Sequence, residues 1–296
     1  MPYLNRPDAS IFFDVTGSGE PIITMHGFHE NGSYWGLPGV SGGLAAAGYR
    51  VVDMDMRGHG RSAANGPDTA YDVDTVATDI GAVADALGFQ RFHLLTHATG
   101  GIAGLRYAMH HSDRLLSITS TDTGSGTIPW PDYCEAAWDD RPIPAVETID
   151  VGKLMGEFVL GVSNFRKTLA ELRRDPTDHP LAPFLNRFDH NPDPERCWRM
   201  VENVFAVGNL NTCADFARGF FKDPDPKVKL LRGIRCPSLV IVGEYDYYMI
   251  KPSECVARNV AGSEYVVMEG LGHMTAIEDP QRLTSYVLKF LGRAGS

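Results

Sequence analysis

The chain has 296 residues, 43% of them hydrophobic and 22% charged, with 31 Gly, 19 Pro and a formal net charge of -10. That composition excludes intrinsic disorder, and the length suits one large domain or one domain carrying a sizeable insertion. An acidic balance of 37 Asp and Glu against 27 Lys and Arg gives no electrostatic reason to bind nucleic acid or an anionic membrane.

No apolar run approaches the roughly 18 residues that span a bilayer. Residues 1–10 also lack the basic patch and apolar stretch of a signal peptide, so a cytoplasmic protein is expected. Five cysteines (Cys134, Cys197, Cys213, Cys236 and Cys255) are scattered without a C-x-x-C pair. Reduced packing thiols fit this usage better than a disulfide or zinc framework.

In chain order, apolar runs at residues 11–15, 21–25 and 50–54 read as strands. Val73, Val76, Ile80, Val83 and Leu87 then repeat at helical spacing, with Asp72 or Asp74 near the start and Gly88 just past the end. Strands follow at 92–96, 115–120, 237–243 and 265–269. A last helix opens at Asp279 and Pro280, an N-cap and first-turn pair, and buries Leu283, Tyr286, Val287, Phe290 and Leu291. Strands alternating with helices predict an α/β protein with a mostly parallel, doubly wound sheet covered on both faces. Residues 127–225 break the pattern with helical stretches at 151–160, 196–205 and 213–220, and read as an inserted helical cap. The core is then 1–126 and 226–296.

Chemistry-bearing segments sit at the ends of these strands. Met25-His26-Gly27-Phe28 follows one, and Asp53-Met54-Asp55-Met56-Arg57-Gly58-His59-Gly60-Arg61-Ser62 closes another. Phe92 to Gly101 runs from a strand through Thr96-His97-Ala98-Thr99-Gly100-Gly101 into a helix. Cys236 to Asp246 ends on an acid, and Gly270-Leu271-Gly272-His273 on a histidine. In this order they resemble the α/β-hydrolase fold family, whose nucleophile elbow is G-x-S-x-G and whose triad runs nucleophile, acid, histidine. The resemblance covers nearly the whole chain outside the cap.

It implies that Ala98 holds the nucleophile position, Asp246 is the acid and His273 the base. The Phe28 and Thr99 amides would form the oxyanion hole. The Asp53 to Ser62 turn would be structural. Asp122, at the end of the 115–120 strand, is an alternative acid. His26, His97, Asp122 and Trp130 are candidate pocket residues. His26 and His29 make a weak metal pair with no third partner in view, so no metal and no cofactor are expected.

A methyl group cannot attack a carbonyl. Three explanations of Ala98 stand open: a serine hydrolase inactivated at its nucleophile, a serine-less member using the His273 and Asp246 dyad as a lyase or cofactor-free dioxygenase, or a non-catalytic ligand-binding member. An aspartate in the missing position, as in epoxide hydrolases or dehalogenases, fits less well, because His29 replaces the proline those relatives carry and Thr99 their bulky residue. The expected function is a capped hydrolase of a small, fairly apolar ester or lactone, with a C–C bond hydrolase as an alternative on the same triad. It is expected to be a monomer or homodimer whose partner is its small-molecule substrate.

Overall fold

A computed structural model describes residues 2–67, 69–127, 150–161, 165–174, 182–205, 208–222 and 225–294. Strands β1 (Tyr3–Asn5), β2 (Ala9–Gly17), β3 (Glu20–Met25), β4 (Tyr49–Met54), β5 (Ala63–Ala64), β6 (Phe92–His97), β7 (Leu115–Thr121), β8 (Ser238–Gly243) and β9 (Glu264–Met268) form one sheet. Their order is β1-β2-β4-β3-β6-β7-β8-β9, with β5 paired to β2. β2 pairs antiparallel with β1, β4 and β5, and every pairing from β4 to β9 is parallel. The mostly parallel sheet expected from the sequence is therefore present, with an antiparallel edge that the apolar runs did not foretell.

Helices α1 (Ser33–Gly36) and α2 (Val40–Ala46) follow β3, and α3 (Val73–Ala86) and α4 (Ala98–His111) flank β6. Between β7 and β8 lie α5 (Val151–Gly161), α6 (Phe165–Arg174), α7 (Ala182–Leu185), a 3₁₀ turn at Phe188–His190, α8 (Pro194–Phe205), α9 (Leu210–Phe220) and α10 (Val228–Leu231). α11 (Ile250–Asn259), α12 (Thr275–Glu278) and α13 (Pro280–Ala294) complete the chain. Predicted caps are used: Asp72 accepts from the Thr75 amide, and Asp279 from the Arg282 amide at 3.0 Å. No helix among the described residues is long and apolar enough to cross a membrane.

β6 and β8 are buried at every position, because helices cover both faces of the sheet. Neighbouring strand residues point to opposite faces. Ile23, Val52 and Leu94 pack with α3 and α4, while Ile22, Val51 and Leu95 pack with α1, α2 and α13. The helices between β7 and β8 join both layers. Phe216 and Phe220 of α9 enter the first cluster, and Trp198, Val201 and Val204 of α8 enter the second.

The strand order reverses at β3. The chain leaves β3 toward β4 on one side, and β6 returns on the other, with Met25 in register with Thr96. Loops leaving the carboxyl ends of β3 and β6 diverge there, which opens the crevice where such sheets bind ligands. The crevice floor is tied by the Gly100 amide, which donates to the His26 carbonyl at 3.0 Å. A Cβ on Gly100 would overlap that oxygen.

The Asp53 to Ser62 turn is a brace, as its motif implied. Arg57, fully buried, donates twice to Asp79 at 2.7 and 2.8 Å and once to Asp8 at 2.6 Å. Asp55 accepts from the Gly32 and Arg61 amides, each at 2.7 Å.

Two substitutions test these ties. Asp79→Ala leaves the Arg57 guanidinium buried without its main partner, and urea unfolding is expected to show a loss of about 3–5 kcal/mol. Gly100→Ala pushes the α4 backbone away from His26, and the same measurement should show a loss of roughly 1–3 kcal/mol, the usual effect of overpacking.

Candidate active site

At the end of β6 the backbone passes from extended at His97 (φ -128°) to left-handed at Ala98 (φ 45°) and then into α4. A residue with a Cβ adopts that conformation at a cost of roughly 1–2 kcal/mol. Small neighbours permit the turn: a Cβ on Gly101 would overlap the Thr123 side chain, and one on Gly104 would lie 2.6 Å from Thr96 Cγ2. Thr123 Oγ1 anchors the turn by donating to the Ala98 carbonyl at 2.6 Å. The strained elbow is thus complete although its side chain is a methyl group. Thr99 occupies the first turn of α4, where amides have no intrahelical acceptor.

His273 and Asp246 meet as their motifs implied. Asp246, just past β8 and fully buried, accepts from His273 Nδ1 at 2.7 Å. This pairing fixes the proton on Nδ1 and leaves Nε2 as the base. The loop bearing the histidine is held by Glu278, whose oxygens accept from the Gly272 and Met274 amides at 2.8 and 3.1 Å. Burial raises the Glu278 carboxyl to about 7.

The loop after β3 has its own fastenings. His26 Nε2 accepts from the Met56 amide at 2.9 Å, so Nδ1 carries the proton and donates to the Gly27 carbonyl at 2.7 Å. Burial keeps this ring neutral by lowering its pKa. Glu30 Oε2 accepts from the Gly27 amide at 2.6 Å. Sequence reasoning missed both Glu30 and Glu278. For Glu30 the signal available was an acid three residues past Gly27.

Asp122 does not reach His273. Its two oxygens accept from the Gly243 amide at 2.9 Å and from Thr275 Oγ1 at 2.6 Å, so it joins β7 to the loops of the acid and the histidine. The alternative assignment of Asp122 as the acid is corrected by this geometry. His97 lies beside it, fully buried, stacked on Tyr34 with ring centroids 4.3 Å apart.

A cavity of about 190 Å³ opens over the elbow, lined by Ala98, Thr99, Phe28 and His273 together. Its wall is aromatic, with Phe158, Phe184, Phe205 and Phe221 joining Phe28. Phe184 meets the His273 ring edge-on at 4.8 Å. Among the described lining residues, Glu30, His29 and His273 are titratable and none is Lys or Arg. Burial lowers His29 to about 4. His26, His97 and Asp122, expected in the pocket, are not lining residues: their rings and carboxylate are turned into the hydrogen-bonded layer behind the wall. Trp130 lies outside the described residues. Among the described residues no cluster of His, Cys, Asp or Glu is arranged to hold a metal ion.

Comparison with known proteins identifies the family. A stretch of 118 residues, 39% of this chain and 38% of the other, is 38% identical to a fluoroacetate dehalogenase of Burkholderia sp. A non-heme haloperoxidase of Rhodococcus erythropolis is 38% identical over 295 residues, which cover 98% of this chain and 99% of that one. The crystal structure of an esterase from Rhodococcus sp. ECU1013 superposes with a TM-score of 0.74 at 22% identity, covering 99% of each chain. The family model of the alpha/beta hydrolase fold matches residues 20–280, and the chain belongs to that family of hydrolases.

Proposed function

We propose that the site is built to hydrolyse a small, uncharged, largely apolar carboxylic ester or lactone, and that Ala98 leaves it without its nucleophile. One observation carries this reading: the left-handed elbow at Ala98 and the His273 base, hydrogen-bonded to buried Asp246, face a single aromatic cavity. The absence of Lys and Arg among its described lining residues favours an uncharged substrate over the carboxylate-bearing substrate of a C–C bond hydrolase. An esterase among the structures of the same fold supports the assignment. Residues 127–225 are the proposed cap, since helices α5 to α9 supply Phe158, Phe184 and Phe205 to the wall.

The mechanism follows from the groups present. A hydroxyl placed at the elbow attacks the substrate carbonyl while His273 Nε2 takes its proton, and Asp246 stabilises the resulting imidazolium. The Phe28 and Thr99 amides receive the oxyanion. The intermediate collapses as the leaving alkoxide takes the proton from His273, and water, activated by the same base, releases the acid. With a methyl in place of the hydroxyl the first bond cannot form. Loss of such a nucleophile costs roughly 10⁶-fold in turnover, while the oxyanion hole and substrate binding survive.

A second reading rests on the intact dyad. His273, with Nδ1 held by Asp246, can abstract a proton from a bound substrate without any elbow nucleophile.

Ala98→Ser, assayed with a panel of p-nitrophenyl esters and lactones, is expected to raise hydrolysis by about 10⁴- to 10⁶-fold, and His273→Ala in that background to remove the gain. A flat response to Ala98→Ser overturns the hydrolase reading. The dyad reading instead predicts a lyase or oxygen-consuming activity of the unaltered chain that His273→Ala abolishes.

A further inference from the structure

We propose that His97 is a positioning residue: an imidazolium held between Glu30 and Asp122 that ties the oxyanion loop and the histidine loop to the elbow. Its Nδ1 lies 3.2 Å from Thr121 Oγ1, and that hydroxyl spends its own proton on the Thr96 carbonyl at 3.1 Å. Thr121 Oγ1 therefore accepts, and Nδ1 carries a proton. On the other side Nε2 faces Glu30 Oε1 at 3.5 Å, while Glu30 Oε2 accepts from the Gly27 amide. An ionised carboxylate offers only lone pairs, so its charge favours a proton on Nε2 as well, although Nε2 has no hydrogen-bond partner among the described residues. Asp122 Oδ2, 3.6 Å from Nδ1, is the second counter-charge. Neither carboxylate contact is an aligned hydrogen bond. The attraction is between charges in a fully buried site, where it is strong.

The placement gives the cation its role. His97 immediately precedes Ala98, Glu30 holds Gly27 beside Phe28, and Asp122 holds Gly243 and Thr275 on the loops of the acid and the base. One charge thus connects every loop that the reaction needs. The Tyr34 ring, parallel to the imidazole, adds a cation–π contact. Burial, the largest influence, works against the charge, but Glu30 and Asp122 outweigh it and raise the His97 pKa to about 9. The other titratable groups facing it are His273, with ring centroids 4.8 Å away, His26, Tyr34, and Asp246 behind Asp122. Because the folded value lies above the usual 6.5, the stability this charge contributes is fully present below about 6.5 and is lost as the pH rises through about 9.

The test uses the unaltered chain labelled with ¹⁵N at histidine and the backbone. At neutral pH the ring identified by its contacts with Tyr34 is expected to show protons on both nitrogens. On raising the pH, the amide signals of Gly27, Thr99 and Gly243 should then move together with one midpoint near 9. A single unprotonated nitrogen at neutral pH, or amides that move independently, overturns the proposal. The kinetic arm rests on the hydrolase reading: in the Ala98→Ser background, Glu30→Gln should lower kcat about tenfold or more at neutral pH with KM changed less than about threefold. A loss of thermal stability with kcat unchanged would show a merely structural role. Should Ala98→Ser give no hydrolysis, that reading fails and the spectra still decide the clamp.

Discussion

Two backbones touch at the centre of this molecule, where the Gly100 amide of the elbow helix meets the His26 carbonyl of the preceding loop. No side chain fits between them, so the helix can approach only where residue 100 is glycine. The contact closes the floor of the crevice that the reversed strand order opens, and it sets the spacing between Phe28 and Thr99. Everything above it follows from that spacing. The aromatic wall, the base and the elbow methyl share one cavity because two adjacent parallel strands end at the same height.

Buried carboxylates do the rest of the positioning, and they do it through backbone amides. Glu30 binds Gly27, Asp122 binds Gly243, and Glu278 binds Gly272 and Met274. Glu30 fastens its own loop, Asp122 reaches from the end of β7 to the loops of the acid and the base, and Glu278 fastens both sides of the base. Loops alone are the least rigid parts of such a fold. A buried acceptor with two oxygens removes that freedom, because an amide that left it would lose its partner while the carboxylate stayed buried. Desolvation raises the pKa of Asp122 and Glu278, whereas the neighbouring His97 charge outweighs it at Glu30 and holds that carboxyl low.

Much of this was legible in the sequence, and the division is physical. Apolar runs revealed β2, β3, β4 and β6 to β9, most clearly β6 and β8, because parallel strands buried on both faces need continuous hydrophobic residues. β1 and β5, three and two residues long, carry no such signature, and β1 exists only because Phe12 and its neighbours offer an edge to pair with. Asp246 and His273 could be read because their motifs tie them to strand ends. Glu30, Glu278 and the bridging role of Asp122 could not, since nothing in a sequence states that a carboxylate will be buried against a backbone amide. His26 and His97 were recognised as residues near the site, but which way a ring turns is decided by hydrogen-bond partners supplied by Met56 and Thr121.

The helices between β7 and β8 do not rest on the sheet as a separable cover. α9 sends Phe216 and Phe220 into one hydrophobic layer, and α8 sends Trp198 and Val201 into the other. Swinging these helices away as a rigid body would expose four large, fully or almost fully buried side chains to water, at roughly 1.5–3 kcal/mol for each. The wall residue Phe205 of α8 is held by this same packing. Phe184 lies between the His273 ring and the half-exposed Tyr248, so one aromatic ring joins the cavity wall to the surface. These helices and the sheet would accordingly unfold together, in one cooperative transition rather than two.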